Sequence, residues 1–123
     1  MNYAMIAIGG ALGAVARYAC QGLVYRWVDP PFPYGTLAVN VVGCFLIGLV
    51  MSSLEGRFSV DPLWRLFVTV GILGGFTTFS SFGFETLALM RDGEMLWAGS
   101  NIVANVFFGI GAVWLGHVVA RLF

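Results

Sequence analysis

Long apolar stretches separated by short polar or proline-rich interruptions dominate the chain. The first covers about 3–25 and is crossed by one charge, Arg17. It stops before Asp29-Pro30-Pro31-Phe32-Pro33-Tyr34-Gly35, where three prolines remove amide donors and forbid a regular helix. The second, about 35–54, holds one strongly polar side chain, Asn40. A polar stretch over 55–60 follows, after which Asp61 stands where an N-cap belongs and Pro62 at the first helical position. The third, about 63–90, ends at the tight turn Arg91-Asp92-Gly93. The fourth, about 95–119, carries Asn101 and Asn105 and runs out near Arg121. A membrane-spanning helix needs about 20 mainly apolar residues. The pattern therefore predicts an all-α membrane protein of four transmembrane helices, forming one domain over 1–123. There is no internal repeat and no low-complexity tract.

Composition agrees. Hydrophobic residues make up 59% of the chain and charged ones 10%, where a soluble domain carries roughly a quarter as charges. Mean hydropathy is +0.90. Too little polar surface exists to coat a globule, and the spans leave no room for a soluble catalytic or ligand-binding domain. Net charge is zero and lysine is absent, so no basic patch can track nucleic acid. Cys20 and Cys44 fall inside apolar stretches and read as small packing residues, not as a disulfide framework. The N-terminus lacks a basic n-region and its apolar run continues into a span, so a cleavable signal peptide is not expected.

Four spans put both termini on one side. That side holds Arg57, Arg65 and Arg121; the other holds Arg26 and Arg91, with Arg17 nearby. So even a distribution gives orientation almost no bias. Either one weakly determined orientation dominates, or both occur and an antiparallel dimer becomes possible.

The centre of the third stretch is the strongest chemical signal: Gly74-Gly75-Phe76-Thr77-Thr78-Phe79-Ser80-Ser81-Phe82. Each glycine costs a helix roughly 1 kcal/mol relative to alanine, and two β-branched residues follow directly. A break at bilayer depth is tolerated where the freed backbone groups find partners or line a watery cavity. Displaced carbonyls at such a break can coordinate a small cation; the alternative is a kink that only packs closely. Phe79 and Phe82 are three apart and would share a helical face. Such rows are usually core packing or lipid contact, but a ring edge is electropositive and, turned into a narrow pore, would attract an anion without trapping it.

Asn40, Asn101 and Asn105 are amides within apolar stretches, where they glue helices together or offer donors to a passing ion. Asn101 and Asn105 are four apart, on a face continued by Gly109; Thr36, Asn40 and Gly43 share another. Gly9 and Gly13 form a small-residue face that ends at Arg17. Arg17 must snorkel, or find Glu85 or backbone carbonyls, or else line an electropositive vestibule. Glu85 is an acid inside a span, and so a functional candidate for proton coupling, pairing with Arg17, or a place at a pore mouth. His117 reads as interfacial. No cluster of ligands suits a transition metal, and Ser80 and Ser81 have no nearby base, so an enzyme is not expected.

Three segments carry a family likeness. Gly9-Gly10-Ala11-Leu12-Gly13-Ala14-Val15-Ala16-Arg17-Tyr18 resembles the first-helix signature of the Fluc (CrcB) fluoride-channel family. Gly35-Thr36-Leu37-Ala38-Val39-Asn40-Val41-Val42-Gly43-Cys44-Phe45-Leu46-Ile47-Gly48 resembles the second, and Gly71-Ile72-Leu73-Gly74-Gly75-Phe76-Thr77-Thr78-Phe79-Ser80-Ser81-Phe82 the third. Their order and the chain length fit, so the likeness covers essentially the whole sequence. It implies a dual-topology, antiparallel homodimer with two pores in the bacterial plasma (inner) membrane. It implies a central structural Na+ held by main-chain carbonyls of Gly74 and Thr77 from both copies. It implies that Phe79 and Phe82 line the pores, that Asn40 donates to fluoride, and that Ser80, Ser81 and then Glu85 lie along a polar track. The implied activity is passive fluoride movement that lowers cytoplasmic fluoride. Two departures stand out: many members have Ser-Thr where this chain has Ser80-Ser81, and often a tyrosine about where Asn101 stands.

Two other readings compete. A small four-helix multidrug exporter also pairs antiparallel, but needs a carboxylate, usually in its first helix, where this chain has Arg17. An accessory membrane subunit would conduct nothing by itself.

Overall fold

A computed structural model describes residues 1–29, 31–55 and 59–123. Pro30 and the 56–58 part of the expected polar stretch, Arg57 included, lie outside the described residues. Helix α1 covers Asn2–Val24 and α2 Tyr34–Leu54. The third span is composite: α3 (Pro62–Leu66), a π-helical run Phe67–Leu73, one helical turn α4 (Gly74–Phe76), then α5 (Phe79–Arg91). Helix α6 covers Met95–Leu122, a few residues beyond the expected 95–119. Four segments are thus long and apolar enough to cross a membrane, and no strand occurs among the described residues. The chain is a multi-pass membrane protein.

Local chemistry sets the element ends. Asp61 Oδ1 accepts from the Leu63 amide at 2.8 Å, with Pro62 opening the helix. This is the cap the sequence predicts. At the other end of the same span Gly93 takes φ +77°, which only glycine adopts without cost. The amide of Gly93 then reaches the Met90 carbonyl at 3.1 Å and that of Glu94 the Leu89 carbonyl at 2.8 Å. These paired bonds close the last turn of α5 and send the chain straight into α6.

In lipid the helices gain nothing by hiding apolar side chains from one another, so close backbone approach has to hold them. Glycines on α1 and α2 allow it. A Cβ at Gly13 would strike the Ile72 carbonyl oxygen and lie 3.0 Å from the Phe76 nitrogen; one at Gly75 would lie 2.6 Å from the Gly10 oxygen. Thus α1 lies directly against the π-helical run and α4. On the other side a Cβ at Gly48 would meet the Val113 carbonyl, and one at Gly116 the Phe45 carbonyl and, at 2.7 Å, the Leu49 nitrogen. Helix α2 is therefore held against α6. At one end Phe32, 4% exposed, stacks between Tyr34 and Trp97, with ring centroids 4.8 and 5.5 Å away.

The π-helical run is not signalled by the apolar pattern, which predicts a plain α-helix up to the break. It contains the β-branched row Val68-Thr69-Val70 and then Gly71. Thr69 donates to the Arg65 carbonyl at 2.8 Å.

These contacts separate two kinds of glycine. Replacing Gly13 with Ala should cost about 1–3 kcal/mol, because the obstacle is backbone that cannot swing aside. Gly22→Ala should be neutral or slightly stabilising, since nothing lies within 4 Å of its Cβ position. Thermal unfolding midpoints of the two variants in detergent check this contrast.

Candidate functional site

The third span loses its helix where the sequence places the break. Thr77 (φ −84°, ψ 158°) and Thr78 (φ −150°, ψ 115°) are extended. Each end is closed by a threonine. The Thr77 amide and its hydroxyl both donate to the Leu73 carbonyl at 3.1 Å, ending the first half. Thr78 Oγ1 accepts from the Ser81 amide at 3.1 Å, capping α5.

The main chain of Thr78, 6% exposed, still needs partners. Asn40 on α2 supplies both: its Oδ1 accepts from the Thr78 amide at 2.8 Å and its Nδ2 donates to the Thr78 carbonyl at 3.1 Å. One amide side chain thus replaces the strand that an extended residue would otherwise pair with. Because the Thr78 amide is taken by Asn40, it does not reach the Gly74 carbonyl, as it would in an unbroken helix.

Asn40 is itself held. Its Nδ2 also donates to Asn105 Oδ1 at 3.0 Å. Asn105 Nδ2 donates to both the carbonyl and Oδ1 of Asn101, each at 2.9 Å. Asn101, 0% exposed, donates to Thr86 Oγ1 at 2.9 Å, and Thr86 donates to the Phe82 carbonyl at 2.7 Å. Main-chain partners at both ends fix which atom of each amide is oxygen, so every donor points the same way along the row.

Asn40, Phe79, Phe82, Gly74, Thr77 and Asn105 line one cavity of about 370 Å³. The two rings stand 5.3 Å apart between centroids and tilt 57° to one another. Phe79 is 80% exposed on the single chain. Ser80 is exposed and its Oγ lies 3.4 Å from Thr78 Oγ1; Ser81 is half-buried in the first turn of α5. The positive end of the α5 dipole thus opens at the break, shortly after α4 ends in carbonyls.

Arg17 and Glu85 lie outside this cavity and do not use one another as the partner the sequence reading offered. Arg17 Nη1 reaches the Thr77 carbonyl at 3.5 Å, the outer limit of a hydrogen bond. Glu85 Oε1 accepts from Thr36 Oγ1 at 2.7 Å, and Thr36 accepts from Gln21 Nε2 at 3.2 Å. The other oxygen, Oε2, is buried without a hydrogen-bond partner. Glu85 faces a second cavity of about 500 Å³, shared with Tyr25, Asp92 and Glu94. His117 Nδ1 meets Ser52 Oγ at 2.7 Å, tying the ends of α6 and α2.

Three supporting residues escape a reading by pattern. Thr86 and Gln21 carry no signal beyond a polar atom in an apolar run. Thr36 shows as a helix-contact position but not as the partner of Glu85, 49 residues away.

The fold and site define a four-span membrane protein with a clamped break in its third span, and comparison with known proteins gives its family. The family described as "CrcB-like protein, Camphor Resistance (CrcB)" matches residues 4–117, and the chain belongs to that family. It is similar to a protein of Methylocella silvestris, with 53% identity over 98% of this chain and 93% of the relative. A protein of Opitutus terrae is 52% identical over 96% of this chain and 91% of its own length. One of Acidobacterium capsulatum is 46% identical over 98% and 97%. All three relatives bear the name "Fluoride-specific ion channel FluC".

Asn40→Leu should leave the Thr78 N–H and C=O buried and unpaired, costing about 1–3 kcal/mol for each group. The expected result is a lower unfolding midpoint together with fast hydrogen exchange at the Thr78 amide.

Proposed function

We propose that the protein is a fluoride-selective channel moving F⁻ passively across the bacterial inner membrane, working as an antiparallel homodimer with two pores. The observation that carries this reading is the clamped break at Thr77–Thr78, with the Phe79 and Phe82 rings beside it on one cavity. Membership of the family, and relatives named as fluoride-specific channels, supply the identity of the ion.

Fluoride is small and strongly hydrated, so a path for it must offer closely spaced donors and weakly positive surfaces in place of water. The Ser80 and Ser81 hydroxyls, the start of α5 and the electropositive ring edges supply these without a full charge that would hold the ion. Arg17 near the break adds long-range positive potential while its guanidinium is occupied at the Thr77 carbonyl.

Pairing is supported by what the single chain leaves open. Phe79 is mostly exposed, and Gly74 is exposed with its usual helical amide directed elsewhere. A second copy facing this surface would complete the cavity wall. The near-even arginines favour two orientations.

The donor set at the break fits a hard monovalent cation: main-chain carbonyls of Gly74 and Thr77, doubled by symmetry, carry no net charge and suit Na+. Of these, Gly74 is the freer ligand, and Thr77 would have to share its carbonyl between Arg17 and the ion. A bound Na+ would bridge the two copies and offset the exposed carbonyls.

Fluoride-loaded liposomes containing the protein should release fluoride and retain chloride, read with ion-selective electrodes. Phe79→Ile and Phe82→Ile should bring release close to background while the dimer persists on sizing columns. Undiminished release by both variants would remove the rings from the pore.

The cation is tested separately. Replacing sodium with N-methylglucamine on both sides should lower flux and loosen the dimer, and returning sodium should restore both. Insensitivity to sodium would eliminate the site.

A further inference from the structure

The orientation of the buried amides bears on how an anion is accepted and released. Asn40 has two amide hydrogens and both are spent, one on the Thr78 carbonyl and one on Asn105 Oδ1. Its oxygen is spent too, on the Thr78 amide. Asn40 therefore cannot donate to a passing ion without first giving up a partner. Its two acceptors are unequal. The Thr78 carbonyl belongs to the clamp that holds the break, and losing it would strand buried main chain. The Asn105 oxygen is a side-chain atom on α6, on the wall of the same cavity as Asn40, Phe79 and Phe82. It is the acceptor that can be exchanged.

We propose that Asn105 is a positioning residue of the ion path, a resident acceptor that a fluoride ion displaces from one Asn40 N–H and that reclaims the hydrogen when the ion leaves. This rests on the channel reading above and adds a device to it. Asn105 is kept ready for that exchange by its other bonds. Both of its own hydrogens go to Asn101, which is anchored through Thr86 to the Phe82 carbonyl. The oxygen of Asn105 thus stays aimed at Asn40 whether or not the hydrogen is there. Competition of this kind weakens anion binding by about one neutral hydrogen bond and speeds release by a similar factor. A conducting site needs that balance, since an ion must enter readily and not linger.

The competition predicts a split that a merely structural role would not produce. In Asn105→Leu one Asn40 N–H has no resident acceptor. The half-saturating fluoride concentration should fall about three- to tenfold, while the limiting flux also falls because release is slower. Both are read from bilayer or liposome flux over a fluoride series with the full-length protein. Lower flux at an unchanged or raised half-saturating concentration overturns the proposal.

A measurement on the unmodified protein removes dependence on how the variant folds. With ¹⁵N-labelled asparagine side chains in detergent, fluoride should shift the Asn40 and Asn105 amide signals together, with one midpoint. An Asn105 signal that stays still through the titration overturns the proposal. Absence of any fluoride flux in the unmodified protein would be a different result, and would sink the channel reading itself.

Discussion

A residue in extended conformation halfway along a membrane span has two main-chain groups that neither a helix nor water can satisfy, and leaving them bare costs about 1–3 kcal/mol each. In this protein that demand falls on Thr78, and the Asn40 side chain meets it with two bonds of opposite sense. Much else follows from keeping that amide in place. Helix α2 must stay close enough for a short side chain to reach, as Gly43 allows, where an added Cβ would strike the Thr77 methyl. The rows of α6 and α5 must hold Asn40 upright, which Asn105, Asn101 and Thr86 do. The rings of Phe79 and Phe82 owe their position to the restart of the helix immediately after the clamp.

The same break sorts charge without using any. A helix that stops presents carbonyls, and one that starts presents amides and a positive dipole end. Here the two ends lie two residues apart. A cation-friendly and an anion-friendly surface can therefore coexist within a few ångströms in a segment whose side chains are neutral. Arg17 stands at the carbonyl end, and Glu85 is tied further along α5 to Thr36.

Much of the fold is legible in the chain, because lipid imposes long apolar runs and the interruptions are sharp. Asp61-Pro62 and Gly93 mark their ends by direct stereochemistry, and Gly74-Gly75 with Thr77-Thr78 marks the break. Partnerships across spans are not legible in the same way. Asn40 stands out as a buried amide, yet nothing in its neighbourhood says that Thr78, 38 residues on, takes both its ends. Arg17 and Glu85 invite pairing by charge, but the packing of α1 against the π-helical run leaves Arg17 beside Thr77, while Thr36 reaches Glu85 first. The π-helical run itself has no counterpart in hydrophobic period, since its i to i+5 bonding is a response to neighbours and not to a residue preference. The ion came from likeness to a family, because spacing alone distinguishes neither fluoride from other small anions nor a channel from a transporter.

The closed row of amides also decides what the break still needs from its surroundings. Since Asn40, Asn105 and Asn101 satisfy one another and the Thr78 main chain within one chain, this part of the break completes its hydrogen bonding without a second molecule. What acyl chains serve badly is the small area around Gly74, where a carbonyl lacks its helical amide. The break is thus finished from within on the side of Asn40 and left open on the side of Gly74.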